Sequence, residues 1–115
     1  MNESISAAMA NIYAYDQERP ALIAAGNQAL VRLAPIALQP TDQARTIGRF
    51  LLGLYNGEEF PFDLTELRGL DLDLFQDCLA VLVMDYSPEL EVHERVPNGN
   101  AIWQRLIELW APEAA

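Results

Sequence analysis

Apolar residues recur at helical spacing along most of the chain. In TDQARTIGRFLLGLYNG, residues 41–57, Ala44, Ile47, Leu51 and Leu54 repeat at three and four, with Phe50 widening the stripe. Thr41 is the candidate N-cap, Asp42 sits in the first turn where free amides favour an acid, and Asn56-Gly57 ends the element. PALIAAGNQALVRLAP carries Leu22, Ile23, Leu30, Val31 and Leu33 on a broad face. A helix is expected to start at Pro20, since proline is tolerated in a first turn. Upstream, Ile5, Met9 and Ile12 keep helical spacing behind Ser4, so residues 1–16 are expected either to fray or to form a short helix of their own. Near the C-terminus Asn100 caps AIWQRLIELW, in which Ile102, Trp103, Leu106, Leu109 and Trp110 cover one side. Ser87-Pro88 opens a short polar helix, ELEVHERV, that Pro97-Asn98-Gly99 breaks.

Two central stretches are less plain. In EEFPFDLTELRG, Phe60-Pro61-Phe62 is expected to dock two rings, and Asp63 and Glu66 have capping-box spacing for a single turn closed by Gly69. GLDLDLFQDC, residues 69–78, alternates leucine with aspartate and then turns almost wholly apolar. Leu70 to Leu74 permits a strand, but about fourteen residues of helical pattern compete with it. Asp71 can cap, Phe75, Leu79, Leu82 and Tyr86 share one face, and Leu74, Cys78 and Val81 widen it. The helical reading prevails, and it predicts the central, most buried helix. LAVLVM, residues 79–84, is the run that a buried strand would match equally well. The expected fold is all-α, a compact bundle of about five short helices in a single domain over residues 1–115.

Composition narrows the class. Just over half of the 115 residues are apolar, enough for a core. The single cysteine excludes an intrachain disulfide and a cysteine zinc cluster. No signal peptide is legible and the longest apolar run is too short for a bilayer, so a cytoplasmic protein is expected. Net charge is −10, from 17 acids and seven arginines without a lysine. That balance repels nucleic acid and anionic membranes. It is also uneven: Glu58 to Glu94 holds eleven acids against Arg68 alone, whereas the flanking segments are each balanced.

Candidate chemistry is sparse. Asp71, Asp73 and Asp77 invite a metal reading, but leucine and phenylalanine stand where a calcium loop needs further oxygen ligands and a glycine. His93, the only histidine, lacks an indicated nucleophile or metal, and Cys78 sits in the most apolar helix, unsuited to a reactive thiolate. No phosphate loop, HExxH or GxSxG occurs. Neither a catalytic set nor a cofactor or metal site is therefore expected. Trp103 and Trp110, seven residues apart, read as core and edge of the last helix, or, with Tyr86, as an apolar interface for a homodimer or partner. What remains is the acidic belt of Glu58, Glu59, Asp63, Glu66, Asp71, Asp73, Asp77, Asp85, Glu89, Glu91 and Glu94. Laid across one surface, these carboxylates would attract a basic protein partner and occupy a site built for phosphates, the logic of nucleic-acid mimicry. The plain alternative is charge that serves solubility.

FLLGLYNG at 50–57, FPFDLTELRGLD at 60–71 and the Asn98-Gly99 turn carry a resemblance. Together with the run 47–85 and the final tryptophan helix, they resemble a family of small bacterial proteins of plasmids and integrative elements in pseudomonads and related proteobacteria. That family has no established activity. Carriage on a mobile element implies a protein that blocks a host defence, of anti-CRISPR or antirestriction type.

Overall fold

A computed structural model describes residues 2–112. It is an all-α bundle of four α-helices and two short 3-10 helices. Helix α1 spans Asn2–Ala37, α2 Asp42–Tyr55, α3 Leu72–Met84 and α4 Gly99–Trp110; the 3-10 helices are Leu64–Gly69 and Val92–Arg95. LAVLVM lies within α3 and is helical.

The largest departure from the sequence pattern is α1. The segments expected to divide at Pro20 form one helix of 36 residues that contains both Pro20 and Pro35. At 1.5 Å per residue its length is about 54 Å, which accounts for the 53 Å long axis of a molecule only 30 by 26 Å across. An internal proline removes one backbone hydrogen bond and opposes the preceding turn, at a cost of about 3 kcal/mol. Side-chain contacts hold the helix on both sides of it. Tyr15 meets Tyr86 edge-on at 5.9 Å, Arg19 Nη2 donates to the Ser87 carbonyl at 3.1 Å, and Ile23 packs on the core.

Helix α2 follows its pattern closely. Thr41 caps it, its hydroxyl oxygen accepting the Ala44 N–H at 3.0 Å, and Ala44, Ile47, Phe50 and Leu51 are buried. Asp63 caps the first 3-10 helix through the Thr65 N–H at 2.9 Å. Asp71 takes the cap position of α3 but makes no cap bond. Its carboxylate accepts from Gln43 Nε2 at 3.2 Å and its N–H donates to Gln43 Oε1 at 2.8 Å, which fastens α3 to α2. Of the polar segment 89–96 only Val92–Arg95 coils, and α4 starts after Asn98, which adopts the left-handed conformation, so Asn100 lies inside the helix.

The core joins Ala29, Leu30 and Leu33 of α1, Ile47, Leu51 and Leu52 of α2, Cys78, Val81 and Met84 of α3, and Trp103 and Leu106 of α4. Helix α3 lies antiparallel along α1, Tyr86 beside Tyr15 and Asp77 beside Arg32. Two glycines let elements approach. A Cβ at Gly26 would overlap Met84, and one at Gly48 would overlap the Trp110 ring, whose indole N–H donates to the Ala37 carbonyl at 2.7 Å.

The face that α3 buries differs from the expected one. Cys78, Val81 and Met84 point inward, whereas Leu79, Leu82 and Tyr86 are exposed, as are Leu72 and Val83. A helix apolar on every side has no polar face to mark the outside, so periodicity leaves its orientation open.

Candidate functional site

The eleven acids of the belt fall into three groups. Glu58, Glu59, Asp63 and Glu66 stand on the segment that follows α2. Glu59 exchanges hydrogen bonds with Asn56, and Glu66 lies 3.8 Å from Arg49. Thr65, through its hydroxyl first and its N–H second, holds the Asp63 carboxyl below the usual aspartate range.

Asp71, Asp73 and Asp77 occupy the start of α3. Asp77 accepts both Arg32 Nη2 at 2.7 Å and Arg32 Nε at 3.0 Å, a two-pronged pair that fixes α3 against α1. Asp73 is exposed in the first turn and has no hydrogen-bond or ionic partner among the described residues.

Beyond the other end of α3 lie Asp85, Glu89, Glu91 and Glu94. Glu89 pairs with Arg19 at 2.9 Å, and Glu94 accepts the Glu91 N–H at 2.9 Å, a local cap. Asp85 is half-buried. Burial, and secondarily the Glu91 carboxylate, push its carboxyl above the usual value against the opposing pull of Arg95. Asp77 lies midway along α3, eight residues and about 12 Å from Asp85, whereas Asp71 stands about 21 Å from it. The acids thus fall into separate groups spread along the fold rather than one concentrated patch. Glu66, Asp77 and Glu89 face arginines within 4 Å; the others have no cationic partner at that range among the described residues.

The aromatic candidates separate by burial. Trp103 is 2% exposed, its indole N–H directed at the Leu51 carbonyl at 3.4 Å, so its ring is a core element. Trp110 is half-buried against Gly48 and Ala37. Tyr86, 80% exposed, is the one that presents an open ring. His93 is half-buried, edge-on to Tyr55 at 5.0 Å and tilted to Trp103 at 6.4 Å, beside an open hollow bounded by Glu94, Asn98 and Asn100. Cys78 is buried, and desolvation with the neighbouring Asp77 charge pushes its thiol up to about 12. No group of three or more histidine, cysteine or acidic side chains among the described residues is placed to hold a metal ion. None of the described helices is long and apolar enough to cross a membrane.

Apart from Tyr86, sequence reasoning missed the exposed apolar surface. Leu72, Leu79, Val83 and Tyr86 line the outer side of α3, and Ile5, Met9, Ile12 and Tyr13 stand open on α1. The second set had a legible signal: SISAAMANIYAY, residues 4–15, has no Asp, Glu, Lys, Arg or His, a length that only residues 20–31 equal.

Fold and surface define a small all-α protein of acidic character with open polar and apolar faces, compatible with a binding role. Residues 27–111 match a family described as of unknown function, DUF7673, and the chain belongs to that family. The match takes in the segments that carried the resemblance and extends it back into the second half of α1. No curated protein and no solved structure matches the chain.

Proposed function

We propose that this is a non-enzymatic binding protein whose acidic segment docks a basic protein surface. In its sharpest form, the partner is a nucleic-acid-handling protein whose phosphate site the carboxylates occupy. The observation that carries the reading is the set of acids without cationic partners, Glu58, Glu59, Asp63, Asp71, Asp73, Asp85, Glu91 and Glu94, against the flanking arginines that bond internally. Negative charge of this density speeds encounter with a positive surface and fixes register more than it adds affinity. Resemblance to proteins of plasmids and integrative elements supports a host-defence target, of the anti-CRISPR or antirestriction kind, in the cytoplasm.

The test reverses Glu58 and Asp73 to lysine, two exposed acids without ionic partners. Asp77 is left intact, because its reversal would set a lysine against Arg32 and loosen α3. Native and reversed proteins are used to capture partners from a bacterial lysate at low salt, and bound proteins are identified and eluted through a salt gradient. A defined basic, nucleic-acid-binding partner that the native form retains and the reversed form loses supports the reading. Equal capture by both forms, or none, rejects it.

A further inference from the structure

We propose that two copies of this chain pair through the N-terminal part of α1, with residues 5–15 antiparallel across a two-fold axis. The ground is a seam along α1. Ile5, Ala8, Ile12, Tyr15, Arg19, Leu22, Gly26, Ala29 and Leu33 alternate in steps of three and four, the repeat of a helix that packs lengthwise on another. The second half of this seam is covered by α3: Gly26 lies on Met84, Ala29 and Leu33 are fully buried, and Tyr15 meets Tyr86. The helix α3 stops there. Ser4 to Ala14 continue the same seam with every residue exposed, and nothing among the described residues packs on it. Ile12 is 61% exposed, with Met9 and Tyr13 beside it at 65% and 67%. Ten or so helical residues that lack tertiary cover are marginal in water.

Charge selects a second copy as the occupant. Residues 4–15 carry no charged side chain, while each chain as a whole carries −10. Two such molecules approach with least repulsion at this uncharged end, whereas a basic partner is drawn to the acidic segment 58–94. Charge also selects the direction. A parallel pair would set Asp16 against Asp16 and Glu18 against Glu18. An antiparallel pair centred near Ala10 sets Ile12 against Ala8 of the other copy, large beside small, and brings the other copy's Ile5 up to the half-buried Tyr15, where the cover by Tyr86 begins, with Asp16 facing Ser4. The pairing is isologous and closes as a dimer. Taking about 200 Å² for a large side chain, the open residues provide on the order of 500 Å² per copy, so the pair buries about 1,000 Å². That is the low end for a specific interface, and a dissociation constant in the micromolar range is expected.

The experiment is sedimentation of the full chain over about 1 to 200 µM, the range that brackets such a constant, at low and high salt. Native protein should shift from monomer to dimer with concentration, and more readily at high salt, because screening reduces repulsion between two acidic bodies. The salt response is opposite to that of an acidic segment on a basic partner, so this inference and the proposed function fail separately. Ile12→Glu should remain monomeric throughout with an unchanged helical spectrum, since the residue is exposed in the single chain. For direction, Ala8→Cys and Ile12→Cys proteins are oxidised alone and mixed. Antiparallel pairing predicts a mixed disulfide in excess of either like pair. A native protein that stays monomeric, a dimer that survives Ile12→Glu, or like-with-like disulfides in excess would each overturn the proposal.

Discussion

Gly26→Ala opposes two effects of known size at one position. In a helix interior alanine is favoured over glycine by about 0.8–1.0 kcal/mol, so at an open site the substitution would stabilise. At Gly26 the added Cβ falls on the Cβ, Cγ and Sδ of Met84. The outer two atoms can swing away, but the Met84 Cβ is fixed to the α3 backbone, and relief requires α3 to move off α1. That movement loosens Ala29 and Leu33 against Cys78 and Val81, all buried. Overpacking of this kind costs about 1–3 kcal/mol, and a backbone-anchored clash belongs to the upper half of that range. The net expectation is a loss of about 1–2 kcal/mol and a fall in Tm of roughly 4–10 °C. Urea unfolding followed by tryptophan fluorescence and far-ultraviolet circular dichroism reads it. Gly69→Ala is the control, since a Cβ there meets nothing within 4 Å and the glycine has no positive φ; its effect should lie within about 0.5 kcal/mol. A Gly26→Ala protein more stable than the native one by about 1 kcal/mol would refute the packing of α3 on α1.

Trp103→Ala empties the centre of the core and should cost about 3–5 kcal/mol in the same assay. Cys78 should resist thiol reagents in the native protein and react only on unfolding, because it is buried and its thiol is pushed up to about 12; rapid labelling without denaturant would contradict the burial. Asp85 has a raised pKa in the folded state, so its contribution is fully present below the ordinary aspartate value of 3.8 and is lost as pH rises through the raised value. Asp85→Asn should therefore be the more stable protein at neutral pH, with its advantage shrinking as acid protonates the native carboxyl; parallel pH–stability curves for the two would count against this assignment.

Much of the fold was legible where polar and apolar residues alternate cleanly. In α2 the cap, the stripe and the stop signal agreed, and Thr41, Ile47 and Leu51 behave as their spacing implies. Asp63 could be read as a cap because the acid, the turn and Gly69 stand together. Pro20 misled, since proline suits a first turn and the contacts that sustain α1 through it come from Tyr86 and Ser87, far along the chain. The orientation of α3 was illegible for a different reason, its apolar residues being distributed around the whole helix. Among the acids, sequence reveals their density but not their engagements. Asp73 and Asp77 share one side of α3 a turn apart, so that Asp77 reaches Arg32 while Asp73 reaches nothing is decided by where along α1 the arginine stands.

Arginine is the chain's only basic residue of fixed charge, and four of the seven act as fasteners between elements distant in sequence: Arg19 to Ser87 and Glu89, Arg32 to Asp77, Arg49 to the Trp110 carbonyl, and Arg95 to Asn27. Folding therefore sorts the charges by sign, drawing much of the cation content into joints and leaving carboxylates to the exterior. The unfolded chain, by contrast, mixes both signs and releases its guanidinium groups. A polyanion in the same solution would therefore meet fewer free guanidinium groups on the folded protein than on the unfolded chain.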